Sequence, residues 1–442
     1  MDEVDPNVHV GPRSTANFFW PVLDIVGINV VMWAVPYAMG SPFSKIGPSY
    51  WKNNLKSGFQ WDDNEIEVNQ FFHPYQGGLY YTAARVNGMT FWESIPYTMF
   101  GSWQWEYFME TEQASTNDFM STTWGGVFFG EALYRLSNRI LDESDSGASR
   151  FFKEFGAMAI SPINGLDRVA TGRAWADGPR HKPAPLNVDF RLGFDGLGLS
   201  SDEGWGTTVR TSIRFDYGDL YAKEAITTPF EAFNLAFEFS ASNKAFGEGV
   251  DGIGVLMGKR LSNNKERTSD HLLAWTLDYA FFTNASEKMF QREAEGTYQL
   301  GEIGTGASWF ARWKLGRGFS IDSELDVLAV PTGAVTSPYA VYESNRAYNY
   351  GIGGAFKAEL ALRQERWGRL YANLDRYLYH VVNGAEGVEN VGLLKVGAYV
   401  NLYKGHGLGA AATYYNRASY YDDYADVHDS FWSGQAHYQY EW

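Results

Sequence analysis

His73, Glu106 and Arg85 are the residues of this chain whose types and spacing could do chemistry. His73 stands beside Pro74 inside the run Asn69-Gln70-Phe71-Phe72-His73-Pro74-Tyr75-Gln76-Gly77. Glu106 follows Trp92, Pro96, Met99 and Trp103 at spacings of three and four, so a helix would put its carboxylate on an apolar stripe. An imidazole and a desolvated carboxylate could form an acid/base pair, with Arg85, Asn69 and Tyr75 holding an anionic group such as a lipid phosphate. That constellation describes an envelope enzyme acting on phospholipid or lipopolysaccharide. The structural alternative makes His73 a hydrogen-bonded corner residue, pairs Glu106 with Arg85, and uses the cluster to pin three helices together.

Other chemistries have weaker support. His73, Glu106 and Asp118 could be metal ligands, but no His-x-x-x-His or Glu-x-x-His spacing accompanies them, so no metal is expected. Ser433 with His437, and Ser269 with His271, are the nearest serine-histidine pairs, and neither has a surrounding motif. The absence of a glycine-rich phosphate cradle speaks against nucleotide chemistry, and no cofactor is expected. With no cysteine, disulfides and thiolate metal sites are excluded. A net charge of −16 leaves no basic stripe for nucleic acid.

Helices must position the cluster. Thr90-Phe91-Trp92-Glu93 reads as a capping box opening a helix to about residue 110, and Ser115-Thr116-Asn117-Asp118 as a second one opening a helix to about residue 140. Gly126 and Gly130, one turn apart, permit close backbone contact with a neighbouring helix. Glu131 is either solvated or paired with Arg135 at spacing four. A short helix is expected over residues 150–160, and a linker over 178–185. Residues 18–39 carry one charge, Asp24, and are interrupted by Pro21, Asn29 and Pro36; they read as a buried helix that Pro36 ends or kinks.

From Leu186 the hydrophobic period changes from 3.6 to 2. Val188, Phe190, Leu192 and Phe194 alternate with Asp189, Arg191 and Asp195, and about twelve such segments follow to the end. Residues 287–304 are either a long loop or two extra strands, so ten or fourteen strands are alternatives. In the last strand Trp432, Gly434, Ala436, Tyr438, Tyr440 and Trp442 face one way, against Gln435, His437, Gln439 and Glu441. The ending resembles the C-terminal signature read by the bacterial barrel-insertion machinery, which makes that machinery an expected partner. Together with 74 aromatic residues and 47 glycines, the pattern predicts a membrane β-barrel of about twelve antiparallel strands over residues 181–442, and an α-helical domain over 1–180.

The run from Asn69 to Gly77, followed by Phe91-Trp92-Glu93-Ser94, Trp105-Glu106-Tyr107-Phe108, Asn117-Asp118, Gly125-Gly126, Gly130-Glu131, Arg168-Val169 and Gly172-Arg173, resembles an uncharacterised family of Gram-negative outer-membrane proteins. The family is catalogued as a domain of unknown function, and the resemblance covers about residues 49–172. It implies outer-membrane association and a helical N-terminal domain, and no activity. The expected location is the bacterial outer membrane, in a mature form, since no signal peptide precedes residue 1. Lipid and lipopolysaccharide are the expected surroundings, with a protein partner of unknown identity. The helical domain is expected to plug the lumen, where Gln435, His437, Gln439 and Glu441 would touch it, or to cap it on the periplasmic side, in a structural, gated-passage or partner-binding role.

Overall fold

A computed structural model describes residues 18–178, 183–198, 205–241, 245–261, 268–286 and 299–442. The chain divides after Ala184 into a helical unit and a β unit. The helical unit contains α1 (Trp20–Ala38), α2 (Pro48–Ser57), a single π-helical segment (Val68–Phe72) running directly into α3 (His73–Val86), α4 (Phe91–Phe108), α5 (Thr116–Ile140), α6 (Gly147–Ile160) and α7 (Pro162–Ala170). The central contact is the crossing of α3 and α5. A Cβ on Gly77 would fall 1.8 Å from the Thr122 carbonyl oxygen, and one on Gly126 would fall 2.5 Å from the Gly77 carbonyl carbon. Only glycine at both places lets the two backbones meet.

The helix over residues 18–39 forms, but it is not buried. Pro21, Ile25 and Asn29 face the unit, where Asn29 donates to the Gly101 carbonyl at 3.2 Å and to Gln104 Oε1 at 3.1 Å. Val30, Val31, Val35 and Tyr37 stand exposed, and the helix runs past Pro36 to Ala38. An apolar sequence on every side cannot distinguish a core helix from one that faces lipid. By length and composition, α1 is able to cross a membrane.

The β unit is one closed antiparallel sheet. Its strands are β1 (Leu186–Gly198), β2 (Trp205–Tyr217), the two-residue β3 (Ala225–Ile226), β4 (Phe233–Ala241), β5 (Ala245–Arg260), β6 (Ser269–Ser286), β7 (Gln299–Gly316), β8 (Phe319–Thr336), β9 (Tyr348–Gln364), β10 (Gly368–Asn383), β11 (Gly387–Tyr403), β12 (His406–Tyr421) and β13 (Val427–Glu441). A five-residue helix, α8 (Ala340–Ser344), lies between β8 and β9. Twelve strands form the wall. It closes where β1 pairs with β13, with Leu192 opposite Tyr438, and continues through the β5 and β6 pairing; β3 is an extra pair on β5. Of the doubtful residues 287–304, 299–304 begin β7 and 287–298 lie outside the described residues. Two-residue turns at Arg317-Gly318 and Lys404-Gly405 have positive φ at both positions, the geometry that matches the twist of the strands they join.

Alternation assigns each wall residue to a face. On β10, Leu370, Leu374 and Leu378 point outward and are exposed, whereas Tyr371, Tyr377 and Tyr379 point inward and are buried. The interior is filled in layers by the barrel's own residues. Toward one end Leu300, Leu328, Val330, Tyr377, Tyr379, Val391 and Tyr415 make an apolar belt. Beside it Lys357 reaches Asp278 at 2.5 Å and Glu302 at 2.9 Å, and a cavity of about 110 Å³ is lined by Arg214, Asp251, Glu324 and Asp375 among others. Farther along the interior, the connection between β2 and β4 packs against the inner wall. Ile226 clusters with Ile253, Val255, Leu272 and Phe310, joined by Leu220 and Tyr221. Phe230 donates its backbone N–H to the Val255 carbonyl at 2.6 Å, and its ring lies on the outward face of β5 over Gly254, where a Cβ would fall 2.3 Å from it.

Candidate functional site

Glu106 sits on α4 near its C-terminal end, 1% exposed. Its Oε2 accepts the backbone N–H of Ser115 at 2.7 Å. Ser115 is the N-cap of α5 and accepts the Asp118 N–H on its hydroxyl at 3.1 Å, so the expected box is completed by a carboxylate from another helix. The box at Thr90 and Glu93 closes within its own helix. Because Glu106 takes the capping position, the Asp118 side chain is released toward α3. There His73 Nε2 lies 3.5 Å from Asp118 Oδ2.

Around that contact the chain gathers polar groups. Asn117 donates to Asp118 Oδ1 at 2.8 Å and to Asp62 Oδ1 at 2.5 Å, and Asn69 donates to the same Asp62 oxygen at 2.9 Å. Glu110 lies near enough to Glu106, and Asp62 to Asp118, for each carboxyl to act on its neighbour's charge. Several buried carboxyls in one place cannot all carry charge, so the cluster retains protons at neutral pH. Burial, with the neighbouring carboxylates adding to it, raises Glu106 and Asp118 well above the usual carboxylate range and pushes Glu110 up to about 8. His73 moves the other way, to about 4, since burial disfavours its cation more than the Asp62 carboxylate favours it. At neutral pH the imidazole is therefore uncharged.

The structure brings His73, Glu106 and Asn69 into one neighbourhood and leaves Arg85 out of it. Arg85 is twelve residues further along α3, roughly 18 Å by helix rise. The expected pairing of Glu106 with Arg85 is therefore corrected: Glu106 is consumed in capping α5, and Arg85 Nε binds Glu131 Oε2 at 2.8 Å. Arg135 Nε reaches Glu131 Oε1 at 2.6 Å, which selects the paired reading of Glu131 at spacing four over the solvated one. Tyr81 donates to Glu131 at 3.1 Å, and the Arg85 guanidinium lies over the Tyr134 ring. Burial opposes ionisation of Glu131, but the two arginines outweigh it and hold the carboxyl below its usual range. Tyr75 is half-buried on α3, where burial raises its phenol.

Sequence reasoning missed Asp62 and Glu110. Both lie in short polar stretches with no periodicity to mark them, and only the fold brings them to Asp118 and Glu106. The serine-histidine pairs do not assemble. Ser433 and His437 are four residues apart along one strand, about 13 Å, and His271 stacks on the Trp309 ring. No group of three or more His, Cys, Asp or Glu side chains suited to a metal occurs among the described residues.

No curated protein matches the chain. Among solved structures, the chain is similar to OmpT of Vibrio cholerae (10% identity, 59% of this chain and 98% of the other, TM-score 0.26). It is also similar to the translocator domain of the autotransporter NalP from Neisseria meningitidis (16% identity, 66% and 99% covered, TM-score 0.24) and to the outer membrane phospholipase A of Escherichia coli (8% identity, 57% and 89% covered, TM-score 0.28). The closed twelve-stranded antiparallel wall with an apolar outer face is, on its own geometry, the fold of an outer-membrane barrel. Residues 58–163, which hold the whole carboxyl and histidine cluster, match the family model described as Domain of unknown function (DUF3943).

Proposed function

We propose that this chain is an outer-membrane protein whose barrel is sealed by its own residues and whose helical unit is a membrane-associated platform, with a structural or partner-binding role in the envelope. The observation that carries this reading is the character of the helical unit's exterior. Phe152 and Trp175 are each 69% exposed and Val31 is 66% exposed, with Phe151 and Phe155 stacked beside Phe152 on α6. Exposed apolar surface on this scale marks a membrane or a partner, and aromatic residues on one face of a helix suit the headgroup boundary. The interior of the barrel is charged where it is not already filled, so an aromatic exterior is poorly matched to it.

The enzyme reading finds less support. Glu106 is held by a backbone N–H, His73 faces Asp118, and both are sealed from solvent. The cluster is better explained as a buried junction of α3, α4 and α5. Planar-bilayer recording tests the sealed barrel: the full chain should show negligible conductance, and shortening residues 219–231 to a tight turn should raise it. Steady conductance from the unaltered chain would overturn the sealed reading.

A further inference from the structure

We propose that the outer face of the barrel carries a binding site for the phosphate of an outer-leaflet lipid, formed by Arg376 on a groove at Gly392. The proposal rests on the outer-membrane reading above and deepens it. On β10, Asp375 and Tyr377 line the interior cavity, so Arg376 between them points outward, in line with the exposed Leu374 and Leu378. Its register partners are Phe356 on β9 and Gly392 on β11, and Gly392 pairs in turn with Asn416 on β12. Arg376 Nη1 donates to Asn416 Oδ1 at 2.5 Å, across the intervening strand. It can do so because residue 392 is glycine: a Cβ there would lie 2.4 Å from Arg376 Nη1 and 2.8 Å from Asn416 Oδ1. The guanidinium thus lies flat in a groove with a neutral amide as its partner, and no ion pair to Arg376 occurs among the described residues.

The height of this groove identifies its occupant. On β11 the outward residues Leu394, Val396, Ala398, Val400 and Leu402 form an apolar band that begins just beyond Gly392. From residue 392 to 402 is about 33 Å along the strand, or roughly 25 Å along the barrel axis at a tilt near 40°, the height of a barrel's apolar band. Tyr414 and Trp432, with centroids 4.8 Å apart, stand one row inside that edge, where an aromatic girdle is expected. Asn416 and Ser430 share the Arg376 row, and outward positions on β10 to β13 at this level carry no carboxylate. The two-residue turn at Lys404-Gly405 lies at the end of the barrel where the Gly405 carbonyl accepts the Glu441 N–H and Val188 and Trp442 exchange backbone hydrogen bonds. Short turns are periplasmic in bacterial barrels. On β10 the exposed Leu378 and Val382 lie beyond Arg376 toward the opposite, outer end, and Arg376 carries its guanidinium across to the outer edge at Gly392 and Asn416. A guanidinium without a counter-charge at a lipid boundary is matched by a phosphate, which it can bind through two N–H groups at once.

The test uses the full chain in detergent, exchanged into nanodiscs of phosphatidylcholine containing bis-phosphorylated lipid A or, separately, phosphatidylglycerol, with retained lipid counted by native mass spectrometry. The unaltered chain should retain lipid A in preference to phosphatidylcholine, and Arg376→Gln should lower retention by about tenfold, the scale of one charge-assisted pair. Gly392→Val should do the same by filling the groove while Arg376 remains. Heat-modifiable migration in gels shows whether each variant is a folded barrel; if the unaltered chain lacks it, the barrel reading itself fails and not this site alone. Equal retention by folded Arg376→Gln and the unaltered chain would overturn the proposal. Displacement of lipid A by millimolar inorganic phosphate would overturn the lipid as occupant, and preference for phosphatidylglycerol over lipid A would overturn the outer leaflet.

Discussion

The helical unit and the barrel bury charge in opposite fashions while presenting the same kind of outside. In the barrel, polar residues face the interior because every second residue must, and the interior is wide enough for ion pairs such as Lys357 with Asp278 and Glu302 to span it. In the helical unit no periodicity forces charge inward, yet Glu131 lies fully buried between Arg85 and Arg135, and burial raises the carboxyl of Asp118 well above its usual range. Both exteriors are apolar: leucines and aromatics on the barrel wall, and Val31, Phe152 and Trp175 on the helices. Two unrelated architectures that bury charge and expose large apolar side chains are what a common low-dielectric surrounding would select.

Breaking one unit should leave the other standing. The largest effect is expected for Gly77→Leu, whose side chain cannot fit against the Thr122 carbonyl; the α3 and α5 crossing should fail, with loss of helical circular dichroism while the barrel keeps its heat-modifiable migration. Next comes Glu131→Ala, which strands two buried arginines and should cost roughly 3–5 kcal/mol in the helical unit. The melting temperature of its helical signal should fall by about 6–20 °C at 2–4 °C per kcal/mol. No change at all would mean the network is solvated in solution.

The carboxyl cluster gives a smaller, signed effect. Glu110 has a folded pKa raised to about 8, so its contribution is present below its ordinary range and is lost as pH rises through 8. His73 has a folded pKa lowered to about 4, so its contribution is present above 6.5 and is lost as pH falls toward 4. The helical unit should therefore melt highest in mildly acidic solution and lower at pH 9. Asp118→Asn combined with Glu110→Gln should flatten the alkaline limb, and a limb that persists in this variant would contradict the protonated state of these carboxyls. The smallest stability effect is expected for Phe152→Ser: an exposed position should shift folding by no more than about 0.5 kcal/mol, while weakening association with vesicles in flotation assays.

The barrel was legible because its two faces differ at every residue, as in Leu370, Leu374 and Leu378 against Tyr371, Tyr377 and Tyr379. The inward connection between β2 and β4 was not, since Leu220 and Ile226 sit among turn residues with no repeat to mark them. In the helical unit, the caps at Thr90 and Ser115 and the glycines at 126 and 130 could be read, because each acts through its neighbours in sequence. The destination of Glu106 could not. A carboxylate on an apolar stripe signals a buried partner without naming it, and the partner proved to be a backbone N–H nine residues on, while Asp62 reached the cluster through a fold that spacing does not encode. The exposure of α1 was hidden for a different reason: hydrophobicity on all sides reads identically for a protein core and for lipid.

The shared apolar exterior is tested most directly by quenching from brominated lipids. A bimane label on Phe152→Cys in the full chain, which has no other cysteine, reports whether that face meets acyl chains. The account predicts strong quenching in brominated nanodiscs, comparable with a label on Leu374→Cys in the barrel wall. Quenching at Leu374→Cys with none at Phe152→Cys would place the helical face in water, in the lumen or against another protein, and would contradict it.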